Sequence, residues 1–177
     1  MRFKCTTCGT EHEVDKISFG ADAPLQWNAL SEAERSRSML GEEQCEIQSK
    51  EGHSFYIHAC IEIPIIGRSE AFAFGVWCSL SKQSYSEICE HWNDSERTKF
   101  GPYFGWLCTR IPGYPDTALL KTNIHQRNVG VRPFIKLEPT NHALAVDQRN
   151  GISEERWKYI VTVLLHGPLG QNRISNK

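Results

Sequence analysis

The sequence lacks nearly every motif that names an activity at sight. It has no Walker-type phosphate loop, no Gly-x-Ser-x-Gly, no His-Glu-x-x-His and no dinucleotide fingerprint, so enzymes of the classes built on those motifs are disfavoured. Its longest apolar runs, such as residues 71–78 apart from Gly75, fall far short of the ~18 residues that a membrane-spanning helix needs. The first cysteine comes at position 5 with no apolar stretch before it, which leaves no secretory signal. Net charge is almost absent as well. Twenty Lys and Arg against 21 Asp and Glu give −1, so no global field draws the protein to nucleic acid or an anionic membrane. Any anionic partner must be met by a local patch.

A chain of 177 residues, 40% hydrophobic and 23% charged, fits one globular domain that buries roughly 70% of its unfolded surface. Such a core needs neither metal nor disulfides. The cysteine count is odd, at 7, and Cys60, Cys78 and Cys108 lie in apolar, strand-like runs, where a reduced thiol behaves as a small hydrophobe. The cytoplasm is the compartment consistent with that usage.

The most specific chemistry is at the start: Cys5-Thr-Thr-Cys8-Gly9, with His12 close behind. A Cys-x-x-Cys-Gly turn lets two thiolates converge on one cation, and zinc takes four such donors in a tetrahedron. A redox Cys-x-x-Cys would open a helix, whose dipole lowers the thiol pKa; Gly9, Glu11, Glu13 and Asp15 argue against a helix start here. The plainer reading is a pair of reduced thiols in a turn. The expectation is a structural zinc held by Cys5, Cys8, His12 and one distant ligand, for which Cys45 is the choice. His58 and Cys60, two apart on a strand, share a face. The alternation of Phe55, Ile57, Ile61 and Ile63 around them reads more simply as a half-buried strand than as a second metal site.

Ser31 with Glu34 forms a capping-box pattern for a short helix over about 32–39, and Ser84 with Glu87 forms another, followed by Tyr85, Ile88, Cys89 and Trp92 on one helical face. Strands are expected over about 43–49, 53–63 and 71–80. A meander follows over about 103–111, 117–126 and 131–138. The clearest helix begins at Ser153 and carries the stripe Trp157, Ile160, Val161, Leu164 and Leu165 until His166-Gly167-Pro168 stops it. The fold class is α+β: a single domain over 1–166, with an antiparallel sheet of about 5–6 strands packed by two or three helices, a small N-terminal zinc-knuckle-like turn, and a flexible tail over 167–177.

Residues 117–137 carry Lys121, Arg127, Arg132 and Lys136 and no acidic residue. Alternation puts Lys121, Asn123, His125 and Arg127 on one face, and Arg132, Phe134 and Lys136 on one face of the next strand. If these coincide, a cationic sheet surface results, able to hold a phosphate, a carboxylate cluster or an acidic protein; a solvated outer face is the plainer account. Residues 138–151 read as a long polar loop bearing His142, Asp147 and Arg149.

Taken together, CTTCG with His12, EIPIIG at 62–67, FGVWCSLS at 74–81, FGWLCTRIPGYPDT at 104–117, LKTNIH at 120–125 and LEPTNHALAVDQRNGIS at 137–153 resemble the uncharacterised bacterial family known as domain of unknown function 2199, over about 3–166. The resemblance implies a bacterial, single-domain, soluble protein and supplies no catalytic residues. Two functional expectations stand beside it. One is a non-catalytic cytoplasmic binding protein, such as an immunity protein or small inhibitor of a protein partner, working through Lys121, His125, Arg127, Arg132, Lys136 and His142. The other is an enzyme or sensor for a small anionic molecule, with His125, Arg132, His142 and Asp147 lining a pocket.

Overall fold

The computed structural model describes residues 2–5, 7–14 and 19–167. The expected tail, Gly167 apart, lies outside the described residues. A two-stranded hairpin of β1 (Arg2–Lys4) and β2 (Glu11–Glu13) comes first, then two short helices, α1 (Leu25–Asn28) and α2 (Glu32–Arg35). At α2 the Ser31–Glu34 capping box forms in full, each side chain bonding the other residue's amide.

A seven-stranded sheet follows: β3 (Met39–Leu40), β4 (Gln44–Ser49), β5 (Gly52–Pro64), β6 (Ala71–Leu80), β7 (Tyr103–Leu107), β8 (Lys121–His125) and β9 (Phe134–Leu137). Neighbours in chain order pair antiparallel, as expected. One join departs from that pattern. β9 returns in parallel to β5 through Cys60↔Phe134 and Ile61↔Ile135. The long β5 therefore carries β4 along its first half and meets β9 along its second, and pairing runs full circle through β5, β6, β7, β8 and β9.

Alternation then defines two faces. Ile57, Ala59, Ile61 and Ile63 of β5 meet Phe72, Phe74, Val76 and Cys78 of β6 in the main core, completed by Leu107, Ile124 and Ile135. Helix α3 (Lys82–Glu90) contributes Tyr85 and Ile88 to it. Its cap is Ser81, whose hydroxyl accepts the Ser84 amide, so the helix starts one turn before the Ser84–Glu87 pattern suggested. Helix α5 (Glu154–His166) buries Trp157, Ile160, Val161 and Leu165 against the same core, capped by Ser153, while Leu164 is only partly buried.

Residues 138–151 are not a loop. They hold helix α4 (Ala143–Asn150), whose N-cap is His142, with Nδ1 accepting the Leu144 amide. Its buried apolar face is only Leu144 and Ala145. Most of its attachment is polar: the Gln148 side chain accepts from the Leu137 amide and donates to the Ile135 carbonyl, both at 2.8 Å.

On the other face of the sheet, Cys45, Ile47, Tyr56, Trp77 and Cys108 form a second buried cluster, covered by the segment that carries Ala21, Trp27 and Leu30. This segment crosses β6 where Gly20 bridges Gly75, and the Trp77 indole N–H donates to the Ala21 carbonyl. A Cβ on Gly75 would stand 2.8 Å from His58 Nε2 and 3.4 Å from Gly20 Cα, so the crossing requires glycine. His58 stacks on Trp77 at 4.7 Å between ring centres and donates from Nδ1 to the Glu42 carbonyl. It is a packing residue of the covered sheet.

Candidate metal centre

Four side chains converge where the hairpin meets the end of α5: Cys5, Cys8, His12 and His166, with one donor atom of each within 4.8 Å of all the others. The local sequence builds half of this geometry. Gly9 takes φ +71°, which a Cβ would oppose, and its amide donates to the Cys5 carbonyl while the Cys5 amide bonds Thr10. The tight reversal turns Cys8 back toward Cys5 and sets His12 opposite Phe3 in the β1–β2 register. Phe3 in turn packs edge-on against Trp157 at 5.5 Å. That contact seats the hairpin on α5 and delivers His166 from the helix's last turn.

The distances suit a cation. Cys5 Sγ lies 3.3 Å from His166 Nε2, and Cys8 Sγ 3.2 Å from His12 Nε2. A tetrahedron with metal–ligand bonds of about 2.0–2.3 Å has edges of roughly 3.3–3.8 Å. Burial of Cys5 works to raise its thiol pKa, but hydrogen bonds from the Cys8 and Thr7 amides, the Cys8 thiol and His166 outweigh it and bring the pKa down to about 6. A thiol so placed gives up its proton readily to a metal. This Cys2His2 group could hold a metal ion.

Cys45 is not part of it. It lies wholly buried in the second cluster beside Tyr56 and Trp77, and burial pushes its thiol up to about 12, the state of a small hydrophobe. The donor missed in the sequence is His166, 161 positions from Cys5. Its only local signal was a histidine in the last turn of a helix, where it also suits the negative end of the dipole.

The expected cationic face assembles differently. Asn123↔Lys136 and His125↔Phe134 are register partners, so the faces of β8 and β9 do coincide, and His125 stacks on Phe134 at 4.8 Å. The arginines, however, are engaged within the protein. Arg127 pairs with Glu62 of β5 at 2.5 Å and lies over Phe134, and Arg132 holds both oxygens of Glu43 at 2.8 and 2.9 Å. The acids missing from 117–137 come from β5 and from the turn just before β4. His142 is spent on capping α4, and Asp147 bonds Arg156. Lys121 and Lys136 remain as exposed cations on this face. His125, Arg132, His142 and Asp147 do not share a cavity with Tyr56 and Trp106, where a pocket of about 550 Å³ lies.

Residues 4–152 match the family described as an uncharacterized protein conserved in bacteria, DUF2199, and the chain belongs to that family. The matched stretch contains Cys5, Cys8 and His12 but ends before His166. No curated protein and no solved structure matches the chain.

Proposed function

We propose that this is a non-catalytic bacterial binding protein, at work in the cytoplasm, whose fold is fastened by a structural zinc on Cys5, Cys8, His12 and His166. The observation that supports it is the closed donor set: two thiols and two imidazoles from both ends of the described chain, leaving no protein donor short of a tetrahedron. Catalytic zinc sites keep one position for water or substrate; four protein donors favour the structural role. All seven cysteines are free, and no described helix is long and apolar enough to cross a membrane. Elemental analysis of protein purified without chelator tests the metal: about one zinc per chain is expected, and well under half an equivalent of any metal overturns it.

The protein-partner form of this reading, an immunity protein or small inhibitor, rests on Lys121 and Lys136, since Arg127 and Arg132 already have carboxylate partners. A second form, a sensor of a small anionic molecule, is favoured by the 550 Å³ cavity beside Trp106. Capture experiments from a bacterial lysate with wild type and with Lys121→Glu/Lys136→Glu separate the two. A protein partner lost on charge reversal supports the first, and no protein retained by either form supports the second.

A further inference from the structure

The cavity of about 550 Å³ lies on the covered face of the sheet, with Gln26, Tyr56, Ser79, Ser81, Lys82 and Trp106 in its wall. Its size falls within the roughly 300–1,000 Å³ of pockets that enclose small organic ligands. The floor is a row of register partners, Tyr56↔Ser79 and Ser79↔Trp106, across β5, β6 and β7. Neighbouring strands stand about 4.8 Å apart, so the row is roughly one bicyclic ring wide.

Two features define what would fill it. Trp106 is 38% exposed and stands edge-on to Phe104, itself an exposed aromatic; with Leu119 it offers flat apolar surface to a ring. Second, no carboxylate lines the cavity, and its formal charge is that of Lys82, with His53 already bonded to Glu46 and Lys121 5.9 Å from the Trp106 ring. The field inside favours an anion.

We propose that this cavity binds a small aromatic carboxylate, its ring against Trp106 and its carboxylate at Lys82. The inference rests on the reading of the protein as a non-catalytic binding module and adds the ligand's chemistry to it. Two contacts of different kinds read two parts of one molecule, which is how an otherwise apolar pocket gains specificity.

Isothermal titration of the full chain with three probes tests it. Indole-3-acetate carries ring and charge; acetate lacks the ring; indole-3-acetamide lacks the charge. Saturable binding of one indole-3-acetate per chain is expected, with each of the other probes weaker by about tenfold or more. Lys82→Gln should erase the preference for acid over amide, and Trp106→Ala should weaken both indole probes. Both positions are solvent-facing, and an unchanged melting temperature verifies the fold of each variant. Absence of saturable binding at millimolar probe, equal affinity for acid and amide, or an unchanged preference in Lys82→Gln overturns the proposal. Such a failure with zinc present at one equivalent removes the cavity assignment and leaves the metal reading standing.

Discussion

Cys5 Sγ and His166 Nε2 lie 3.3 Å apart although 161 positions separate them in sequence. The contact joins a hairpin turn to the last turn of α5, and with Cys8 and His12 it completes a four-donor group that neither segment could form alone. The first prediction follows from that pairing. His166→Ala should lower bound zinc from about one equivalent to well under half and reduce thermal stability, because ligand loss removes binding energy that is also folding energy. Cys45→Ala should keep the metal and cost only about 1–2 kcal/mol from the small cavity it leaves. Metal analysis beside thermal melts checks both; full zinc in His166→Ala would assign the fourth position elsewhere.

Helix α5 yields the second prediction. Ile160 is fully buried in the main core, whereas Leu164 is only partly covered. Ile160→Ala should cost roughly 2–5 kcal/mol, and Leu164→Ala clearly less. Urea denaturation of the two variants measures the difference, and an equal loss would mean that the two positions pack alike.

The third concerns Arg132, whose Nε lies within 2.9 Å of both Glu43 oxygens. Both side chains are about one-third exposed, at 35% and 29%, so solvent screens the pair. Arg132→Gln should cost only about 0.5–1 kcal/mol. Arg132→Glu should cost more, and adding Glu43→Arg should restore part of the loss. A double-mutant cycle by denaturation reads this coupling; strict additivity would show that the pair contributes nothing.

The fourth is a pH dependence. Burial holds the His58 imidazole below its ordinary 6.5; the Glu42 carbonyl opposes this and nearby Arg132 reinforces it. Nε2 is buried without a partner against Gly75, so a proton there would find no acceptor. The unfolded chain takes up that proton below 6.5 while the folded protein does not. The stabilising contribution is therefore complete above 6.5 and is lost as pH falls through the lowered folded value, at up to about 1.4 kcal/mol per pH unit. Denaturation curves between about pH 7 and pH 5 should show this slope for wild type, and His58→Gln should flatten it.

Elements with strong periodicity were legible in the sequence. The alternation in β5 and β6, the stripe of α5 and the Ser31–Glu34 box all name their own structure, because local pattern and tertiary burial agree there. Helix α4 was not legible. Its buried apolar side chains are only Leu144 and Ala145, and Gln148 secures it by bonding the backbone of β9, which leaves no hydrophobic period to read. Cys5, Cys8 and His12 were visible as donors because a tight turn groups them. His166 was not, since only the docking of Phe3 on Trp157 brings it near. The acids beside the patch of positive charge were hidden for the same reason. Glu43 and Glu62 reach Arg132 and Arg127 only once β4 and β9 flank β5, a relationship fixed by topology rather than by spacing.

With a cation on the four donors, residues 5 and 166 would become the ends of a clasped ring. A protein pulled by its two termini would then bear the load first on metal–ligand bonds, before any strand of the sheet felt it. Loop closure across so long a segment also removes more freedom from the unfolded chain than a local clip does, though only with the logarithm of its length. The same clasp makes mechanical strength switchable: a chelator would turn a protein that resists at its ends into one that peels from them, hairpin and last helix parting first.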